Sequence, residues 1–411
     1  MDLKNTRRML CLCVFVACGC HGVRQPMAAK STVMGLQEAV YANEDHILEV
    51  RLERMDVLLK SADEVLNFPG MIEFEGKLVL PYGRGRHGGK EGRPAAVSTD
   101  GGKTWRDLPA DSPLTDNVQN SGIYGYLRDG TTLYVDVFPK EAPSTPEEWG
   151  EQGYYAVGRV ENPSWRVRRF SKQGELVETF TTRVEGLPWK LATYENYGTI
   201  LELADGDLLT AFQCHLEPRI NGSGPTFAFR TFIARSRDGG KTFRHVRTFE
   251  PIRNGEKIGS QGLCEPDMAV LPNGDILCVL RTGGDTPMYQ SRSRDGGKTW
   301  SLPESTGWPG VKPRLRVLPG GVLACSAGRG VYGHPQVTHV LFSIDGTGEV
   351  WEPPFIFHAG PGCSYTWNIE RDGKLHVIYS HSAFTEPLGT YGLPYQAIKW
   401  AVLSVEKEPR G

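Results

Sequence analysis

The chain has 411 residues, of which 49 are glycine and 28 proline; 39% are hydrophobic and 10% aromatic. That is too apolar for a disordered chain, and the glycine and proline excess demands many turns between short strands, which excludes a helical bundle. The 46 basic and 48 acidic residues leave a net charge of −2 with no run of five like charges, which excludes a nucleic-acid partner held by bulk electrostatics.

Residues 1–22 read as a secretion signal. Lys4, Arg7 and Arg8 form a positive start, and an apolar stretch from Met9 to Ala17 follows, too short to span a bilayer. Phe15-Val16-Ala17-Cys18 resembles a bacterial lipobox with Cys18 as the lipidated residue, and Cys20 offers a second register. A plain cleaved signal is the alternative. Either reading places the mature protein outside the cytoplasm: secreted, periplasmic, or at a membrane surface through a lipid anchor on Cys18 or Cys20. No later segment reaches 18 apolar residues.

Beyond the leader the chain repeats itself. An alternating stretch at residues 46–52 is the first strand signal. Six hairpins then follow, each an apolar run, a glycine turn and a second apolar run, with turn glycines at Gly76, Gly130, Gly206, Gly274, Gly321 and Gly373. Between them lies an octapeptide: Ser98-Thr-Asp-Gly-Gly-Lys-Thr-Trp105, Ser236-Arg-Asp-Gly-Gly-Lys-Thr-Phe243 and Ser293-Arg-Asp-Gly-Gly-Lys-Thr-Trp300. Ser343 to Trp351 is a longer copy, and Ser171-Lys-Gln-Gly-Glu-Leu176 a degenerate one. Asp-Gly is a hairpin turn signal, because glycine accepts positive φ without a Cβ penalty. The Asp and Ser side chains accept hydrogen bonds from turn amides, and the closing aromatic needs an apolar slot. Polar insertions are expected at residues 139–163 and 217–225. The last strand signal, residues 397–404, is expected to close the ring against residues 46–52, leaving no exposed edge.

A repeat of about 40–50 residues with two hairpins fits a four-stranded propeller blade. The pattern predicts an all-β fold, a six-bladed β-propeller of four-stranded antiparallel blades spanning residues 35–408. The five cysteines beyond the leader, Cys214, Cys264, Cys278, Cys325 and Cys363, show no CxxC spacing and read as small buried hydrophobes. The histidines are scattered, with His334, His339, His358 and His381 able to meet late in the chain; strand-filling roles are expected and no metal site.

The Ser-x-Asp-x-Gly-x-Thr-Trp unit resembles the Asp box of BNR-repeat proteins, and with six hairpins the chain resembles the sialidase (neuraminidase) superfamily over nearly its whole mature length. The resemblance implies an exo-α-sialidase acting on terminal acidic sugars of glycoconjugates, with no cofactor. It implies three arginines on the substrate carboxylate, a Tyr nucleophile activated by a Glu, and an Asp as general acid. A guanidinium holds a carboxylate bidentately, and a neutral Tyr avoids the repulsion a carboxylate nucleophile meets from an anionic sugar. Glu265 and Arg281 match the family's Glu–hairpin–Arg pattern around Gly274. Tyr365, before the Gly373 hairpin, takes the nucleophile position, with Glu265 as its base. Arg281 and, less regularly placed, Arg329 take the carboxylate. The family's first arginine is absent, since Asn67-Phe68-Pro69 stands there. Residues 83–93 hold no Asp for the general acid; Arg84, Arg86, His87 and Glu91 are substitutes or solvated loop charges. A non-catalytic glycan-binding propeller and a propeller hydrolase with a changed substrate stay open as alternatives.

Overall fold

The computed structural model describes residues 36–85, 94–115, 123–136, 161–189, 193–196, 198–215, 228–283, 286–329, 336–360, 362–382 and 395–411. The leader with Cys18 and Cys20, residues Arg86, His87 and Glu91, His334 and most of both expected insertions lie outside these. Among the described residues the only helix is one 3₁₀ turn, Pro319–Gly321; all other regular structure is β.

Six antiparallel meanders follow one another. The first runs through Ile72–Phe74, Lys77–Pro81, Ala95–Ser98 and Arg106–Asp107. The second holds Ile123–Tyr126, Thr132–Val135, Ser164–Phe170 and Leu176–Glu185. The third centres on Leu208–His215, Arg230–Ser236 and Thr242–Phe249, with Thr193–Asn196 and Leu201–Glu202 both pairing the first of these. The fourth is Cys264–Val270, Ile276–Arg281, Tyr289–Ser293 and Glu304–Ser305. The fifth is Val311–Val317, Leu323–Gly328, Val337–Ser343 and Phe355–Ala359. The sixth joins Cys363–Arg371, Lys374–His381 and Gln396–Pro409 to His46–Ser61 from the front of the chain, with Glu38–Ala42 as a fifth strand. The pairing of His46–Ser61 with Gln396–Pro409, which sets Val50 against Val405, is the expected junction of chain start and chain end.

Only three of the meanders are separate four-stranded sheets. The second and third share one nine-stranded sheet through a parallel contact that sets Arg183, Val184 and Glu185 against Thr242, Phe243 and Arg244. The reason is strand length. The outer strands of the first and fourth meanders have two residues each, whereas Leu176–Glu185 has ten and Thr242–Phe249 eight. Two long outer edges satisfy their backbone groups on each other. Val184 and Phe243, both fully buried, join one apolar cluster at that seam.

Inner strands carry near-continuous apolar runs because both faces are covered. Leu208–His215 and Val337–Ser343 are buried at every position. The core lies between neighbouring meanders. One cluster joins the first, second and sixth (Leu80, Tyr124, Trp400), and others join the second to the third, the third to the fourth, the fourth to the fifth, and the fifth to the sixth.

All six turn glycines take positive φ. The octapeptides connect third to fourth strands. In the first, Ser98 Oγ donates to Asp100 Oδ1 (2.7 Å) and accepts from Gly102 N (2.8 Å), while Asp100 also accepts from Lys103 N, Thr104 N and Thr104 Oγ1. The same bonds recur around Asp295. Trp105 and Trp300 close each loop by donating Nε1–H to the carbonyl of the second glycine. Cys214, Cys264, Cys278 and Cys325 are buried, and burial raises Cys214 to about 12.

Candidate active site

Glycine turns and octapeptides share one end of the meanders, since each lies after an odd-numbered strand. The opposite end holds the starts of first strands and the ends of second strands, and there the candidate residues meet. Glu265 starts one strand and Arg281 ends its hairpin partner, and a bulge lies between the Cys264–Arg281 and Asp267–Val279 pairs. The same bulge recurs after Val311 in the fifth meander and after Cys363 in the sixth. It turns Glu265, Lys312 and Tyr365 away from the regular alternation. Glu265 (φ 43°), Lys312 (φ 53°) and Phe68 (φ 46°) are left-handed residues directly before Pro266, Pro313 and Pro69. Proline disfavours helical conformations in the residue before it, so this end of the fold carries local strain, as functional sites often do.

The Tyr365 hydroxyl donates to Glu265 Oε1 at 2.8 Å. Arg281 Nη1 donates to the same oxygen at 2.8 Å and to the Tyr365 oxygen at 3.3 Å. Lys312 N donates to Glu265 Oε2 at 3.0 Å, and Glu265 N donates to Gln213 Oε1 at 2.6 Å. Three meanders thus meet on one carboxylate, and a fourth holds the backbone N–H of the same residue. The Phe68 ring stands edge-on to Tyr365 at 4.6 Å between centroids, with Val311 beside both. Glu265 is 5% and Tyr365 7% exposed, so the bonds act in a setting where water screens little.

Burial alone would raise Glu265. The positive charges of Arg281 and Lys312, with hydrogen bonds from Tyr365 and Arg281, outweigh it and hold the carboxyl below its ordinary range. Burial first, then the Glu265 charge, drive Tyr365 well above the ordinary phenol range, against the opposing pull of Arg281 and Arg329. Glu265 is therefore an ionised acceptor and Tyr365 a neutral donor in the bond they share.

The structure brings Glu265, Arg281 and Tyr365 together as the sequence predicts. Arg329 (φ 54°), just past the second strand of the fifth meander, is near enough to act on the Tyr365 charge. Asn67 is fully buried, with Nδ2 donating to Gly85 O at 3.2 Å, so this position supplies a neutral amide where the family has a cation. Arg84 pairs with Glu64 at 3.0 Å on the surface. Sequence reasoning missed Lys312, Gln213 and a buried support below the site. There Asp267 binds Arg314 at 3.0 Å and accepts from Leu315 N at 2.7 Å, and Arg314 lies over the Trp367 ring at 3.9 Å. Lys312 had a signal: it stands nine residues before Gly321, as Glu265 stands nine before Gly274.

The comparisons with known proteins agree with the repeats and the fold. A BNR repeat-like domain matches residues 168–377, just over half of the chain, and a BNR/Asp-box repeat matches residues 96–107. No curated protein sequence matches. A Dyadobacter fermentans protein of unknown function superposes with a TM-score of 0.63 at 18% identity, covering 87% of this chain and 99% of that one. A Hadza microbial sialidase superposes at 0.56 and 16% identity, covering 82% of this chain and 65% of that one. Trypanosoma rangeli sialidase in complex with sialic acid superposes at 0.52 and 14% identity, covering 83% of this chain and 54% of that one. The chain thus spans about half to two thirds of the length of these two sialidases, and at such identities the likeness is one of fold. Fold and repeats together define an all-β, sialidase-like Asp-box protein with a propeller fold. The chain belongs to the BNR repeat-like family.

Proposed function

We propose that this chain is a sialidase-like glycoside hydrolase acting on terminal acidic sugars, with Tyr365 as nucleophile and Glu265 as its base. The observation that carries the reading is the 2.8 Å bond from the Tyr365 hydroxyl to an ionised Glu265 that Arg281 also grips. As the Tyr365 oxygen attacks the anomeric carbon, its proton passes to Glu265 and the bond to the leaving oxygen breaks. Water then attacks the anomeric carbon of the tyrosyl glycoside from the face the leaving group vacated, Glu265 returns its proton to the departing Tyr365 oxygen, the water's surplus proton passes to solvent and balances the expelled anion, and configuration is retained. Arg281 and Arg329 face the sugar's carboxylate. Residues 83–93 lack an Asp, so leaving groups that need no protonation are the favoured ones. The six meanders are read as the six blades of one propeller over residues 35–408, supported by the ring of inter-meander cores. The leader pattern supports export, with or without a lipid on Cys18 or Cys20.

A changed substrate is the second reading, favoured by Asn67. A panel of fluorogenic aryl glycosides, tested on wild type and Tyr365→Phe, decides. Turnover of an aryl sialoside that the variant loses by at least about 10³-fold supports the proposal. Turnover of another acidic glycoside alone supports the second reading, and no turnover of any acidic glycoside sinks both.

A further inference from the structure

We propose that Thr366 and Asn368 are positioning residues of this site, which tie the strand carrying Tyr365 to the fifth meander and so fix the Tyr365 hydroxyl against Glu265. The inference rests on the reading of Tyr365 and Glu265 as nucleophile and base. The bulges create the need for such a tie. Cys264 pairs with Arg281 and Asp267 with Val279, while Cys363 pairs with His381 and Thr366 with Tyr379, which leaves Glu265 and Tyr365 inside bulges rather than in regular register. The strands that open the fourth, fifth and sixth meanders belong to three separate sheets. Ladder pairing therefore does not set the spacing between the two side chains.

Bonds to the strand Val311–Val317 set it instead. Toward the fourth meander, Lys312 N donates to Glu265 Oε2 at 3.0 Å and Leu315 N to Asp267 Oδ2 at 2.7 Å. Toward the sixth, Thr366 Oγ1 donates to Lys312 O at 3.3 Å and Asn368 Nδ2 to Arg314 O at 2.8 Å. Lys312 thus gives its N–H to the base and its carbonyl to the residue next to the nucleophile. Ser326, on the second strand of the fifth meander, joins the two ties. Its Oγ accepts from Asn368 Nδ2 at 3.0 Å and lies 3.2 Å from Thr366 Oγ1. Since Thr366 donates to Lys312 O, Ser326 donates to Thr366, and a one-way chain of donors runs from Asn368 through Ser326 and Thr366 to the Lys312 carbonyl. All three side chains are at most 2% exposed, so little water competes for these bonds, and such a chain stiffens the strands it joins. Thr366 and Asn368 act on Tyr365 through the backbone of their own strand. A reacting atom misplaced by about 1 Å can cost about 10²-fold in rate.

The test follows the Tyr365 hydroxyl proton directly. Donated to a carboxylate in a buried site, it should give a downfield proton resonance that exchanges slowly with water, assigned by its loss in Tyr365→Phe. Thr366→Val keeps the volume and removes the hydroxyl, and Asn368→Leu removes the amide. In both, the resonance should move upfield and exchange at least about tenfold faster. Thr366→Ser, which loses only the methyl, should keep the wild-type resonance. A folded Thr366→Val with the wild-type resonance and exchange overturns the proposal. So does a Thr366→Ser disturbed as far as Thr366→Val, which would make the effect one of packing. A wild type with no slowly exchanging hydroxyl proton overturns it without any variant. On an aryl glycoside that wild type turns over, kcat should fall about 10²-fold in Thr366→Val and Asn368→Leu, with KM little changed. An active enzyme whose kcat ignores both changes overturns the proposal too. If wild type turns over no acidic glycoside while the resonance still answers to Thr366, the catalytic reading has failed and the positioning of the pair stands.

Discussion

Glu265, Arg281 and Tyr365 are joined across two meanders by bonds of 2.8 to 3.3 Å, and the charge on Glu265 is a main reason the phenol resists ionisation. Glu265→Gln removes that charge and leaves Arg281 beside the ring. The Tyr365 phenol should then ionise about one to three pH units lower, seen as ultraviolet absorbance gained on titration and referenced to Tyr365→Phe. An unchanged titration would mean that burial alone controls the group. Below them, Asp267 and Arg314 are 1% and 3% exposed and pair at 3.0 Å. Arg314→Met should cost about 3–5 kcal/mol in urea unfolding, because it strands a buried carboxylate. The meeting of these three was legible in the sequence because each lies seven to nine residues from a turn glycine, which puts it at the same end of the fold. The Asp267–Arg314 pair was not, since it joins different meanders and no local pattern encodes which inner strands face each other. Lys312 stood at a legible position but was passed over, because the resemblance called for arginines.

Elements here are specified by their turns. Asp-Gly and Gly-Gly decide the local backbone whatever surrounds them, so six hairpins and the octapeptide loops could be read from sequence and are found in the fold. What the octapeptide touches was not legible. Its second glycine packs against the preceding meander: Gly240 faces Leu133, Gly297 faces Leu209 and Gly348 faces Leu277, while the degenerate copy sets Gly174 on Phe74. The first copy continues the series around the junction, with Gly102 on Trp400 of the sixth meander. A Cβ at Gly102 would lie 2.1 Å from Trp400 Cζ3, at φ +90°, whereas a Cβ at Gly76 (φ +76°) would meet nothing within 4 Å. Gly76→Ala should therefore cost only the left-handed penalty, about 1–2 kcal/mol. Gly102→Ala adds overpacking and should cost about 2–4 kcal/mol. Equal urea midpoints for the two variants would show that the loop does not press on Trp400. The fusion of the second and third meanders escaped sequence reading for a related reason. Edge pairing depends on how far two outer strands run beside each other, and the repeat pattern marks their starts, not their ends.

At the scale of the whole molecule, the buried histidines of the last two meanders set how stability answers to acid. His339 is fully buried, and burial alone lowers it to about 3. His358 and His381 stack at 5.0 Å and are lowered to about 3 and about 4, by burial first and then by Lys399, while His376 beside Trp400 is lowered to about 4. Each is neutral in the native state where the unfolded chain would protonate it. Their contribution is therefore fully present above the ordinary histidine range, near 6.5, and is lost as pH falls through that value toward 3–4. Each such histidine costs about 1.4 kcal/mol per pH unit inside the window, against a total stability on the order of 5–15 kcal/mol. The octapeptide acids act lower. Asp295, held at about 2 by Thr299 and Ser293, stabilises above the ordinary Asp range and gives that up only as pH falls from near 4 toward 2. The two windows barely overlap, so one series of urea unfolding curves separates them. Between pH 6 and pH 5 wild type should lose at least about 1.4 kcal/mol, and His339→Leu should lose about 1.4 kcal/mol less than wild type over the same interval. A variant whose unfolding free energy falls as steeply as wild type's would show that His339 takes up its proton in the folded protein, and that water reaches the inner strands of the fifth meander.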